Sequence, residues 1–287
     1  MTRTLEPYQL VERSIITKYR KVLWNPFIEA VKRYEMIQPG DRIAVCISGG
    51  KDSMLLAKLM QQLQKHSDFP FELVFLVMDP GYNELNRRKI ESNAALLNIP
   101  VTIFESDIFE VADSAGKSHC YLCARMRRGY LYSRAQELGC NKIALGHHFN
   151  DVVETTLISM FYGSQLQAML PKLHSTNFEG MTLIRPLYCV HEDDIIAWAR
   201  DNSLEFIQCA CRLTERSAAD TGDVNVSKRK EIKLLLRRLR QGNPNIEKSI
   251  FNSIHAVALD TMPGFKTGGV EHSFLERFNA MESTEDE

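Results

Sequence analysis

No apolar run in this 287-residue chain approaches the length of a membrane-spanning helix, roughly 20 residues, so a helical membrane protein is excluded. The opening Met1-Thr2-Arg3-Thr4-Leu5-Glu6-Pro7 lacks the apolar centre of a secretory signal, and a cytoplasmic location without a membrane partner is expected. Formal net charge is only −1, which argues against a uniformly basic nucleic-acid coat. Internal repeats and low-complexity domains are missing. So are two common phosphate signatures, the Walker A spacing G-x-x-x-x-G-K-S/T and the dinucleotide G-x-G-x-x-G. With 44% hydrophobic and 25% charged residues, composition is that of an ordinary globular chain, long enough for one sizeable core with additions at both ends.

What is present begins with Ile43-Ala44-Val45-Cys46-Ile47-Ser48-Gly49-Gly50-Lys51-Asp52-Ser53. The apolar run reads as a central strand of a parallel sheet, and Met54 to Met60 opens a helix directly after it. Adjacent glycines let consecutive backbone N–H groups converge on an anion. Ser48, Ser53 and the helix N-terminus supply further donors, so the turn suits phosphate or pyrophosphate.

Apolar positions at helical spacing predict one or two amphipathic helices over residues 8–34. Strands are expected at 73–78, 100–104, 142–145 and 182–184, with helices across 84–97, 124–138, 151–161 and 193–201 between and after them. Leu204 to Ile207 reads as a further short strand, 212–226 as a polar loop, 227–240 as a basic helix capped by Ser227, and 245–259 as an amphipathic helix. The fold class is therefore α/β, a parallel sheet with helices on both faces, Rossmann-like, with helical additions at both ends. The expected organisation is a helical segment over 1–38, a catalytic domain over 39–215, a helical segment over 216–262 and a partly disordered tail over 263–287.

Seven cysteines in a cytosolic chain do not make a disulfide framework. Cys120 and Cys123 have the spacing at which two thiolates grip one metal centre, which leaves zinc, an iron–sulfur cluster and a dithiol pair open. Cys209 and Cys211, some ninety residues later, follow an expected strand. Three thiolates fit a cluster with one open iron better than a closed four-thiolate zinc site. Cys46, Cys140 and Cys189 sit in or beside apolar strands and read as small hydrophobes.

Gly146-His147-His148-Phe149-Asn150-Asp151 puts polar groups at the end of one strand and the first turn of a helix. A carboxylate at Asp151 there caps the helix, holds Mg²⁺ on nucleotide phosphates, or moves a proton. The basic block from Lys228 to Arg240 suits RNA phosphates, or else forms a solvated face with Leu234, Leu235, Leu236 and Leu239 toward the core.

Ser48 to Ser53 resembles the pyrophosphate loop of the ATP pyrophosphatases, the PP-loop enzymes. Cys120 to Tyr132, Gly146 to Thr155, Met160 to Gly163, Met169 to Leu173 and Arg185-Pro186-Leu187 extend that resemblance to the tRNA 2-thiocytidine synthetases. The resemblance implies ATP, Mg²⁺ and a 4Fe-4S cluster as cofactors. It implies a cluster held by Cys120, Cys123 and Cys211, with Cys209 as the alternative third ligand. It further implies adenylation of the C2 oxygen of an anticodon-loop cytidine in tRNA and its replacement by sulfur from a sulfide or cysteine-desulfurase donor. On this reading Ser48, Gly49, Gly50, Lys51, Asp52, Ser53, Gly146 and His147 bind the nucleotide, and Asp52, Asp151, Lys51 and Arg127 are catalytic. Asn150 and the Cys211-Arg212-Leu213-Thr214 segment depart from that family's pattern, which keeps another base or a small sulfur metabolite as the alternative substrate. An RNA-binding or nucleotide-sensing protein with a structural zinc is the reading from another class. A homodimer through the N-terminal helices is compatible with the sequence.

Overall fold

The computed structural model describes residues 5–106, 108, 119–207 and 228–282, with the side chains of 119–125 and 281–282 excepted. Two helices, α1 (Pro7–Ile16) and α2 (Asn25–Arg33), flank a π-helical turn over Arg20–Trp24 and precede the sheet. There follow β1 (Arg42–Ile47), α3 (Lys51–His66), β2 (Glu72–Asp79), α4 (Glu84–Leu96), β3 (Val101–Glu105), α5 (His119–Glu137), β4 (Lys142–Ala144) and α6 (Phe149–Gly163). Next come β5 (Lys172–His174), β6 (Thr182–Ile184), α7 (Glu192–Asp201), α8 (Lys228–Gly242) and α9 (Ile246–Ser253).

The six strands run in the order β3-β2-β1-β4-β6-β5, parallel except for the antiparallel edge strand β5. This is the expected α/β sheet. Alternation along the strands decides which helix covers which face. Ala44, Cys46, Leu76, Met78, Ile143 and Leu183 pack with Leu131, Tyr132 and Ala135 of α5. Ile43, Val45, Phe75 and Val77 are buried on the opposite side, where α3 contacts β1 and β2. Cys46 and Cys140 are buried in the α5 side of the core, and burial pushes the Cys46 thiol up to about 12. Cys189 is only partly buried.

Several expectations need correction. Leu204 to Ile207 joins no strand: the Asn93 amide donates to the Glu205 carbonyl (2.8 Å), which holds this stretch against α4. The stretch before Thr182, where no element is expected, contains the short edge strand β5. In the basic helix, Ile232 and Leu236 are buried, whereas Leu234 and Leu239 are exposed. The last amphipathic helix stops at Ser253. The region from 263, read as a partly disordered tail, instead carries β7 (Gly264–Thr267), β8 (Val270–Ser273) and α10 (Phe274–Glu282). Gly268 and Gly269 both have positive φ, +57° and +83°, which is the glycine-dependent conformation of a tight hairpin turn. By compactness the chain divides into Met1–Lys233 and Leu234–Glu287. The first turns of α8 thus belong with the sheet rather than with a segment starting at 216. Among the described residues, no helix is long and apolar enough to cross a membrane.

The N-terminal helices are tied on by a buried charge. Lys58 of α3 is fully buried, and its ammonium donates to Glu12 Oε1 (2.8 Å), Gln61 Oε1 (2.7 Å) and the Leu97 carbonyl (2.7 Å). Burial raises the Glu12 carboxyl, but its bonds to Lys58 and Lys65 outweigh this and hold it below the usual range. Removing one partner of a buried pair strands the other, at about 3–5 kcal/mol. Urea denaturation of Glu12→Ala is expected to show a loss of about that size; a loss below about 1 kcal/mol would mean that the pair does not anchor α1.

Candidate active site

The sheet order reverses direction between β1 and β4, and the loops after these neighbouring strands open at the same end, the place where open α/β sheets bind ligands. After β1, Gly49 adopts φ +82°, and a Cβ there would meet Ile90 Cγ1 at 2.6 Å and Ile207 Cδ1 at 2.7 Å. Glycine is therefore required by both conformation and space. Gly50 caps α3 with no side chain over the helix N-terminus, so the first-turn N–H groups face outward as an anion site. Ser53 fixes the turn: its hydroxyl accepts from Ser48 N–H (3.1 Å) and donates to the Gly50 carbonyl (2.9 Å). The Lys51 ammonium lies 3.1 Å from the carboxylates of both Asp52 and Glu192.

The loop after β4 presses directly on this turn. A Cβ at Gly146 would lie 3.2 Å from Asp52 C and Ser53 N. His148 caps α6 through a reciprocal pair: Asp151 N–H donates to its Nδ1 (3.4 Å), and its own N–H donates to Asp151 Oδ2 (3.1 Å). Its Nε2 stands 3.5 Å from Asp151 Oδ2 and 3.9 Å from both Asp52 and Glu192. Burial lowers His147 to about 4, so its imidazole is neutral at physiological pH. Asn150 accepts the Glu192 N–H on its Oδ1 (2.9 Å). The amide therefore caps α7, a task an amide oxygen performs as well as a carboxylate.

Two elements not expected at the site complete it. Glu192 at the start of α7 sits between Lys51 and Lys233 (3.0 Å); burial raises its carboxyl, but these ammonium groups and His148 outweigh that and hold it at about 2. Arg229 Nη1 donates to Asp151 Oδ1 (2.7 Å). Burial opposes ionisation of Asp151, yet His148 and the neighbouring cations keep it below the usual range. Glu154, one turn along α6, is raised to about 7 because burial outweighs Lys233 and Arg229 nearby. Among the described residues, no three His, Cys, Asp or Glu side chains converge as a metal site on their own.

Cys120 and Cys123 fall in the first turn of α5, three residues apart. Cys209 and Cys211 lie outside the described residues. Ile207, the last described residue before them, lies against Gly49 of the phosphate loop. The donor set, two thiolates on one helical turn plus a third from a distant segment, fits a three-thiolate cluster chemically. Arg127 is partly buried with no partner for its Nε. Arg185 is also partly buried with its Nε unpartnered, and burial lowers its guanidinium to about 10.

The structure thus brings together Ser48 to Ser53, Gly146, His147 and Asp151. Sequence reasoning did not single out His148, Glu154, Arg185 or Glu192. The i,i+3 pair Asp151/Glu154 and the i,i+4 pair Arg229/Lys233 were visible as helix faces, but what they face was not.

A family model described as a PP-loop domain matches residues 17–214. A tRNA-cytidine(32) 2-sulfurtransferase of Geobacter metallireducens is 36% identical over 241 residues, covering 83% of this chain and 90% of that one. One from Neisseria meningitidis is 42% identical over 198 residues, covering 67% and 61%. Among solved structures, the U34-tRNA thiolase NcsA of Methanococcus maripaludis, with its 4Fe-4S cluster, is similar at a TM-score of 0.63 and 19% identity, covering 81% of this chain and 78% of that one. That last likeness concerns the fold. The loop after β1 is accordingly a PP-loop, and the chain belongs to the PP-loop family and, within it, to the tRNA-cytidine(32) 2-sulfurtransferases, which are transferase enzymes.

Proposed function

We propose that this protein thiolates tRNA in the cytoplasm, using ATP to adenylate the C2 oxygen of the anticodon-loop cytidine at position 32, the position named in its relatives, and replacing that oxygen with sulfur. The observation that carries the reading is the packing of the Gly146 loop on the phosphate loop, which sets Lys51, Asp52 and Asp151 around one anion site. Ser48, Gly49, Gly50, Lys51 and Ser53 grip the β and γ phosphates, with donors from the α3 N-terminus. Gly146 and His147 line the nucleotide side. The C2 oxygen attacks the α phosphorus, the bond to the bridging oxygen breaks, and pyrophosphate leaves into the loop that already holds it.

Asp151, kept ionised by its neighbours, takes one of two tasks. It would hold Mg²⁺ together with Asp52, or it takes the proton that the exocyclic amine loses on adenylation. Arg127 stabilises charge on the adenylate. Cys120, Cys123 and Cys211, with Cys209 as the alternative, would hold a 4Fe-4S cluster, which would supply the chemistry for carrying donor sulfide. Sulfur then bonds to C2, the carbon–oxygen bond to AMP breaks, and AMP departs with the original oxygen. Exposed Phe161 and Tyr162, with Lys228 Nζ 4.9 Å from the Tyr162 ring centre, offer aromatic faces of the kind on which unpaired RNA bases stack.

Mass spectrometry of nucleosides from total tRNA tests the substrate. A strain lacking the protein is expected to lose 2-thiocytidine, with wild type restoring it and Cys211→Ala or Asp151→Asn failing to. Unchanged 2-thiocytidine in the deletion strain would sink the cytidine assignment in favour of another base or a small sulfur metabolite. Elemental analysis of anaerobically purified protein tests the cluster separately. Iron and acid-labile sulfide are expected in equal amounts, both falling in Cys120→Ser, whereas zinc without iron would contradict the cluster.

A further inference from the structure

Building on the proposed ATP-dependent reaction, we infer that helix α8 is part of the adenylation site, with Arg229 and Lys233 acting as positioning residues for Asp151 and Glu192 rather than as contacts to tRNA phosphates. The two cations are one helical turn apart and share a face. That face is turned to carboxylates. Arg229 Nη1 binds Asp151 Oδ1 at 2.7 Å and its Nη2 reaches Thr155 Oγ1 at 3.4 Å, so one guanidinium spans two residues of α6. The other Asp151 oxygen receives the His148 N–H at 3.1 Å. Both oxygens of the carboxylate are thereby fixed, one from its own loop and one from a helix seventy-eight residues away in sequence.

Lys233 does the same for Glu192. It holds Oε2 at 3.0 Å, while Lys51 of the phosphate loop holds Oε1 at 3.1 Å. Buried Glu154 joins the two arms, with Arg229 and Lys233 each 3.6 Å from its carboxylate. Basic and acidic side chains therefore alternate from Lys51 through Glu192, Lys233, Glu154 and Arg229 to Asp151. A cation serving RNA phosphates needs its donors turned outward; though part-exposed, Arg229 directs Nη1 and Nη2 to Asp151 and Thr155, and Lys233 its ammonium to Glu192. Removing one leaves Glu154 less compensated and frees Asp151 or Glu192 to turn. A displacement of about 1 Å at a reacting group can cost on the order of 100-fold in rate.

The test measures tRNA-dependent AMP release and tRNA affinity in parallel on the full chain. Arg229→Gln is expected to lower kcat for AMP release about 10- to 100-fold, with tRNA Kd changed by less than about twofold. Arg229→Lys keeps the charge but cannot span Asp151 and Thr155 together, and is expected between the two. It also serves if the glutamine variant fails a thermal-melting check. Weakened tRNA binding with full AMP release at saturating tRNA would overturn the inference and assign the pair to RNA. So would wild-type values for both quantities. Wild-type protein that binds tRNA but releases no AMP would instead sink the ATP-dependent reading on which the inference stands.

Discussion

The contact between the Gly146 backbone and the phosphate loop is the constraint on which the site depends. Strands β1 and β4 are parallel neighbours, paired from Ile43 and Lys142 to Val45 and Ala144, so their loops emerge side by side. A Cβ at Gly146 would stand only 3.2 Å from the Asp52–Ser53 backbone, so glycine lets the second loop settle against the first without pushing it aside. That approach decides where α6 begins, and hence where its first-turn carboxylate Asp151 stands relative to Asp52 and Lys51. Gly49 plays the complementary part below, where Ile90 and Ile207 close over it.

A nucleotide site made for polyphosphate would be expected to be plainly basic, yet this one is a lattice of alternating acidic and basic groups. Asp52, Asp151, Glu154 and Glu192 face Lys51, Arg229, Lys233 and His148. Such a lattice holds each group in one orientation before the ligand arrives, which is the condition for electrostatic groups to act in a reaction without first reorganising. It also makes the lysine of the phosphate loop shared property: an incoming phosphate must compete with Glu192 and Asp52 for Lys51. On the proposed reading, Asp52 and Asp151 would hold Mg²⁺, whose charge would ease that competition.

Much of this was legible in the sequence because it is encoded locally. The run Ile43 to Ile47 ahead of Ser-Gly-Gly-Lys-Asp-Ser announces a buried strand, an anion turn and a helix in a dozen residues, and the structure has each of them. Thr182 to Ile184 was readable as a strand to the residue. What was not legible depends on which surfaces meet. Glu192 looks like an ordinary first-turn acid of α7, and Glu192-Asp193-Asp194 gives no sign that the first of the three reaches Lys51. One of the two readings of α8 put its leucines toward the core, but Ile232 and Leu236 are buried and Leu234 and Leu239 exposed. Asn150 read as a lost carboxylate, and only its bond to the Glu192 N–H shows that it caps α7. Gly268-Gly269 lies in the stretch expected to be a partly disordered tail, where two positive φ values make a hairpin turn. The thiolates of Cys120, Cys123, Cys209 and Cys211 are readable only in the sequence.

The central claim is chemical: the cytidine oxygen leaves on AMP. The direct measurement places ¹⁸O at the C2 oxygen of the target cytidine, runs one turnover with unlabelled ATP and sulfide, and weighs the products. The account predicts one ¹⁸O in the AMP released for each sulfur gained by the tRNA, and none in the pyrophosphate. Label in pyrophosphate or in bulk water, with AMP unlabelled, would contradict adenylation of that oxygen, whatever the tRNA then carries.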